Sequence, residues 1–271
     1  VENKGLDFSI DYVKRFNNDF DMSFKGTFTY AHNKVLEYDE PDFQKYPNIS
    51  RVGHSVDQQL LYIAERLFID DSEVQRNPKQ NLGGWVSGGD IKYKNLPDVN
   101  GNYDNVIDSN DRQYTGMPTT PEIVYGFGPS FRYKKFDFSF FFQGAARVSI
   151  MMNGIHPFGA EGTRNVLQFI ADDYWSETNQ NIYAEYPRLS KRDNENNTKA
   201  STYWQRNGAF LKLKNLEVGF NHKFFRVYLR GSNLLTFSPF KYWDPEMGSG
   251  SGLSYPTQRV FNVGVQFSIN K

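Results

Sequence analysis

The chain has no cysteine and only four histidines among 271 residues. Without cysteine there is no disulfide framework and no thiolate metal site. His32, His54, His156 and His222 are scattered, without the spacing of a zinc site. Charge of one sign is also lacking: 31 Lys+Arg balance 31 Asp+Glu, and no basic stripe is present to track nucleic acid. No apolar run approaches the roughly 20 residues of a membrane-spanning helix. The opening "VENKGLDFSI" has neither the basic start nor the apolar centre of a signal peptide and reads as the interior of a longer protein. Catalytic signatures are missing too. There is no nucleophile elbow, and no carboxylate pair is placed at glycosidase separation. "GGWVSGG" (83–89) lacks the Lys-Ser/Thr ending of a phosphate loop, and "GSGSG" (248–252) reads as a loop tip. No enzyme is expected.

Aromatic residues, by contrast, are abundant: 24 Phe and 17 Tyr in a chain whose mean hydropathy is −0.66. A chain that is polar on average but rich in aromatics suits strands with one apolar face. The pattern has period two, the signature of half-buried strands. Leu6, Phe8, Ile10 and Tyr12 alternate with polar residues, as do Phe20, Met22, Phe24, Phe28 and Tyr30. Further rows are Ile123, Tyr125, Phe127, Phe131 and Tyr133, then Phe136, Phe138, Phe140 and Phe142, then Val227 and Leu229. The last is Phe261, Val263, Val265, Phe267 and Ile269. A seventh segment, Phe210 to Asn221, changes parity between Leu213 and Leu216, which predicts a bulge near Asn215.

The links between these segments alternate in length. "FNND", Lys134-Lys135 and "NHKFF" are hairpin-length, whereas about 37–122, 149–208 and 238–258 are long. Short turns at one end and long loops at the other is the layout of an outer-membrane barrel, and the aromatic rows suit the girdles at its lipid interfaces. A soluble β-sandwich with large surface loops is the alternative on pattern alone. Seven strands do not close a barrel of even strand number, so the expected role is the C-terminal portion (1–271) of a larger barrel. Its plug domain and earlier strands would lie outside this chain.

Several stretches carry a family resemblance. "GDIKYK" (89–94), "NVIDSNDRQYTGMPTTPEIVYGF" (105–127), "YKKFDFSFFFQGAA" (133–146), "DDYWSETN" (172–179) and "YPRLS" (186–190) come first. "GAFLKLKNLEVGF" (208–220), "RVYLRGSNLLTFSPFKYWDPE" (226–246) and "YPTQRVFNVGVQFSI" (255–269) follow. In combination and in order they resemble the SusC/RagA family of TonB-linked outer-membrane transporters. The resemblance implies an all-β, antiparallel transmembrane barrel of about 22 strands with a plugged lumen. It also implies import of oligosaccharides or peptides energised by TonB, a SusD-like surface lipoprotein as partner, and location in the outer membrane of a Gram-negative bacterium.

Four features are candidates for function. "DVNGNYDNVIDSND" (98–111) fits a calcium loop in register, with Asn100, Asn102, Asp104, Val106 (through its carbonyl), Asp108 and Asp111 as ligands. Asn105 stands where such loops carry Gly, and Asp111 where they carry Glu. The other reading is a loop held by its own Asx turns. "TRNVLQFIADDYW" (163–175) has the spacing of a short helix. Tyr183, Tyr186, Trp204, Tyr242 and Trp243 are loop aromatics able to stack on a substrate or to pack on one another. The polar row Arg226, Tyr228, Arg230 and Ser232 is expected to face the lumen and to meet substrate or plug. A second functional reading stays open at this point: a secreted, calcium-stiffened β-rich glycan-binding or adhesion module.

Overall fold

The computed structural model describes residues 1–158, 165–191 and 194–268. Its frame is one seven-stranded antiparallel sheet in which each strand pairs with the next along the chain. The strands are β1 (Glu2–Arg15), β2 (Phe20–Lys34), β3 (Ile123–Tyr133), β4 (Phe136–Ala146), β5 (Phe210–Asn221), β6 (Phe225–Phe237) and β7 (Val260–Phe267). These are the seven segments marked by period-two patterning. Ile269 and Asn270, which continue that pattern past β7, lie outside the described residues. No helix among the described residues is long and apolar enough to cross a membrane.

Register shows why the alternation matters. Lys14, Met22, Phe131, Phe138, Val218, Leu229 and Val263 lie side by side across the sheet. The adjacent row runs Arg15, Asp21, Arg132, Asp137, Gly219, Tyr228 and Gly264. One face is therefore nearly all apolar and the other nearly all polar, because side chains of successive residues point to opposite sides. On the apolar face Phe8, Leu229, Val263 and Phe267 are exposed, as expected of a surface whose solvent is lipid rather than water.

The bulge expected near Asn215 is present. Phe141 pairs with Asn215 and Phe142 with Leu213, leaving Lys214 as the extra residue. β6 answers with its own irregularity opposite, where Asn233 takes a left-handed φ of 56°.

All three short turns fall at one end of the sheet. In the first, the Asn17 side-chain oxygen accepts the backbone N–H groups of Asp19 and Phe20, each at 2.9 Å. In the second, Lys134 adopts φ 52°, a conformation that lets two residues reverse the chain. At the other end the three long connections fold together into a cap. Backbone hydrogen bonds join the first to the second (Tyr62 N–H to Ala200 O, 3.1 Å; Leu67 N–H to Ile182 O, 2.9 Å) and the second to the third (Gly250 N–H to Met151 O, 2.9 Å).

The buried core of the molecule lies in this cap. Leu61, Leu67, Ile91, Tyr93, Ile107, Ile150, Ile170, Trp175 and Phe240 pack together, and none belongs to the sheet. Long connections without repetitive structure are unusual unless they pack on themselves or carry function; these pack on themselves. Their helices are short: α1 (Asp71–Arg76), α2 (Gln168–Asp172) and α3 (Glu195–Thr198). The helix expected over 163–175 is thus confined to α2, with Val166 and Leu167 packed just ahead of it. Thr163 and Arg164 lie outside the described residues.

Candidate functional site

The polar face of the sheet is cross-linked. The Arg226 guanidinium on β6 donates to Asp137 on β4 at 2.5 Å and to Glu217 on β5 at 2.6 Å, and it lies 4.9 Å from the centre of the Tyr228 ring. Gly219 makes room for this cluster: a Cβ there would stand 2.5 Å from an Asp137 carboxylate oxygen, well inside contact distance. Arg230 donates to Asn215 Oδ1 at 3.1 Å, and Ser232 does so at 3.3 Å. Arg132 pairs with Asp21 between β3 and β2. The expected row Arg226, Tyr228, Arg230 and Ser232 therefore shares one face, but Arg226 is already held by two carboxylates. Charge-assisted bonds of this kind fix the wall more than they offer a free cation.

At the rim Glu122, which precedes β3, receives His32 Nδ1 of β2 at 2.5 Å and Arg147 Nε, just past β4, at 2.5 Å. Deeper on the polar face Lys212 of β5 is 1% exposed. Its ammonium lies 2.5 Å from both Asp244 and Glu246 of the third connection, and Lys214 adds a bond of 2.8 Å to Glu246. Burial pushes the carboxyls of Asp244 and Glu246 up, but the ammonium groups outweigh it and hold both below the usual carboxylate range. This is why the "DPE" segment folds over the sheet instead of projecting from it.

Inside the cap a second polar network is sealed from water. Asp90 is fully buried and pairs with Arg188 (3.0 Å), the Asn197 amide (2.8 Å) and the Ser87 N–H (2.8 Å). The Asn197 oxygen accepts the Ile91 N–H at 2.9 Å, and Asn196 donates to Ile91 O at 3.0 Å. Gln80 bridges Asn196, Ile91 O and the Tyr93 N–H. Glu73 is gripped by Arg66 and Lys92 and accepts the Ile69 N–H. Burial opposes its charge, yet these donors prevail and lower its pKa to about 2.

The loop aromatics divide into two groups. Tyr186 and Trp204 belong to the cap core: their ring centres are 5.6 Å apart, and Trp204 Nε1 donates to Asn197 O at 2.7 Å. Substrate contact is not open to them, because packing in the cap consumes both faces. Trp243 packs at 4.6 Å on Phe240. Tyr242 is tied to Glu185 through its hydroxyl and stands edge-on to Phe169. Tyr183 alone of the expected set is widely exposed, on the lip of a hollow of about 210 Å³ with Arg66, Tyr203 and Arg206.

The 98–111 loop is built from Asx turns. Asp98 Oδ1 accepts the N–H groups of Asn100 and Asn102, Asp104 Oδ1 that of Val106, and Asp108 Oδ1 that of Asn110. Asp111 is buried; one of its oxygens takes the Leu96 N–H at 2.6 Å and the other the Asp108 N–H at 2.8 Å. Burial raises its pKa against those bonds. Asn105 has the left-handed φ, 60°, expected at its place. Val106 instead joins a two-residue parallel pairing with Lys79–Gln80. No group of three carboxylate or imidazole ligands converges among the described residues. Asn100, Asn102 and Asp104 stay exposed while Asp111 turns inward, so this donor set does not fit a calcium ion.

Comparison with known proteins agrees with this architecture. No family model matches the chain. TonB-dependent receptor P3 of Formosa agariphila is 28% identical over 98% of the chain, which covers 28% of the receptor. TonB-dependent receptor SusC of Bacteroides thetaiotaomicron is 24% identical over 98% of the chain and 26% of its own length. Among solved structures, the RagAB peptide transporter superimposes with a TM-score of 0.66 at 22% identity, over 98% of this chain and 29% of that one. The RagAB peptide importer in its open-open state gives 0.67 at 21% identity, over 98% of this chain and 28% of that one. The chain thus spans little more than a quarter of the length of the relatives it matches. These relatives are receptors and transporters, not enzymes, and their fold makes the sheet a section of barrel wall.

Proposed function

We propose that the chain is part of a SusC/RagA-type TonB-dependent receptor, like the receptors and transporters it resembles over 98% of its length, and that the whole protein imports a nutrient oligomer across the outer membrane of a Gram-negative bacterium. The single observation that supports this most is the two-faced sheet with every long connection gathered at one end. An apolar face toward lipid and a polar face toward a lumen give a wall through which a hydrophilic solute passes. The cap at the long-loop end is the part a solute meets first. Nothing in this arrangement requires a bond to be broken; the work is gating. TonB supplies the energy through parts of the receptor outside this chain, and a SusD-like surface lipoprotein closes over the cap.

The test is uptake. Cells carrying the full-length receptor are expected to take up oligosaccharide or peptide oligomers, and to lose that uptake when TonB is deleted. The lipoprotein is expected to copurify with the receptor and to detach when the cap is excised. Uptake that persists without TonB, or a receptor that purifies alone with the cap intact, overturns the respective part of the reading.

A further inference from the structure

On the cap, two hollows of about 290 and 340 Å³ share a wall formed by Phe68, Asn77, Pro78 and Gln80. Together they make one groove. Trp85 stands at one end, 69% exposed, and Tyr103 at the other, 58% exposed. Exposed aromatic rings usually swing freely, but Trp85 is held. The Arg188 guanidinium lies 4.3 Å from its ring centre, and Arg188 is anchored by buried Asp90. One ring face is thereby fixed by a cation–π contact.

The charge of the groove is also uneven. Lys92 in its wall is neutralised by Glu65 and Glu73. Lys79 and Lys94, both exposed and both lining the groove, have no ion-pair partner among the described residues. Asn95 lines the same wall, and its side-chain oxygen has no hydrogen-bond partner. Buried polar atoms of this kind are normally satisfied.

The groove offers little to a peptide main chain. The backbone N–H groups of Phe68, Asn77, Lys79, Tyr93 and Lys94 are all bonded within the cap. Strand addition needs free main-chain donors, and these are spent. What remains is a fixed indole, a phenol, amide groups and two unpaired ammonium groups. Rings stack on the C–H faces of sugars, and ammonium groups attract carboxylate or sulfate as point charges.

We propose that this groove is a binding subsite for an acidic oligosaccharide, one that carries carboxylate or sulfate groups on its sugar rings. The inference deepens the import reading by naming the class of oligomer, and its test reads binding rather than uptake so that the two can fail separately.

The experiment is isothermal titration of the full-length receptor in detergent with a galacturonate hexamer, a sulfated galactan hexamer, a neutral hexose hexamer and a hexaglutamate peptide. At least one acidic sugar is expected to bind more tightly than the neutral one. Trp85→Ala is expected to weaken that binding about tenfold or more, with Trp85→Phe recovering most of it. Lys79→Gln combined with Lys94→Gln is expected to abolish the preference for the acidic sugar and to flatten the dependence of affinity on salt. All these side chains are exposed, so folding is not at stake. The proposal is overturned if neither acidic sugar binds, if the peptide binds in their place, or if binding is indifferent to the Trp85 and lysine substitutions.

Discussion

The sheet and the cap belong to one chain but are held by different means. In the sheet, order comes from the backbone ladder, and the side chains face outward on both sides: lipid on one, lumen on the other. In the cap the ladders are short two-stranded pairings of two to four residues a strand, and most of the order comes from a buried core of Leu61, Ile91, Tyr93, Trp175 and Trp204 threaded by the Asp90–Asn197–Asn196–Gln80 network. The lesson is that the wall derives its stability from closure and membrane, neither of which lies within these residues. The cap carries its own. Substitutions should therefore act on the two regions with different force.

The largest effect is expected from Asp90→Ala. It strands the Arg188 guanidinium and the Asn197 amide away from water, and breaking such a buried pair costs about 3–5 kcal/mol. Hydrogen exchange in the intact receptor should show cap amides such as Ile91 and Gly89 opening while ladder amides of β3 and β4 stay protected. Equal loss in both regions would erase the contrast.

Next is Lys212→Ala, which leaves Asp244 and Glu246 with Lys214 alone. A loss of about 2 kcal/mol in the seating of the third connection is expected, read as faster protease cleavage within 248–252. Acid offers a graded version. Folded Glu73 resists protonation down to about 2, whereas unfolded it takes a proton near 4.5. Between those values the unfolded state binds more protons, so cap stability declines as pH falls from about 4.5 toward 2. Glu73→Gln should remove that part of the decline in an exchange-versus-pH series.

Arg226→Ala, on the wall, is expected to cost only about 1 kcal/mol because the cluster is partly exposed; a shift of more than a few degrees in barrel melting would contradict it. The smallest effect, none, is expected from chelation. The 98–111 loop holds itself with Asx turns, so EDTA should leave its exchange rates and the receptor's melting temperature unchanged.

How far the sequence reads depends on whether a residue's fate is decided locally. Strand placement is a local matter. Phe136, Phe138, Phe140 and Phe142 announce their strand by period, and the parity change between Leu213 and Leu216 announces the extra residue at Lys214. Cap burial is not local. Asn196 and Asn197 sit in "NENNTK", which has the look of solvated surface, yet both are buried because Ile91 and Asp90, more than a hundred positions earlier, supply their partners. Tyr186 and Trp204 read as loop aromatics free to meet a ligand, and the same long-range closure places them in the core. Trp85 lies within "GGWVSGG", where no local pattern marks it. Only the structure brings Arg188 beneath it. The calcium register was legible as a spacing, but spacing does not say which way Asp111 turns.

The extra residue at Lys214 works as a phase shifter between two halves of one strand. Below it, Leu216, Val218 and Phe220 keep time with the lipid side; above it, Leu211 and Leu213 do so on the opposite beat. Deleting that one residue would leave β5 the same length within one position but invert its upper half. Lys212 would then face the lipid, and the third connection would lose the ammonium that holds it down. Length changes in β5 are thus coupled to the posture of a loop thirty residues away in sequence. An insertion or deletion in this strand should therefore be tolerated less well than one in the long connections.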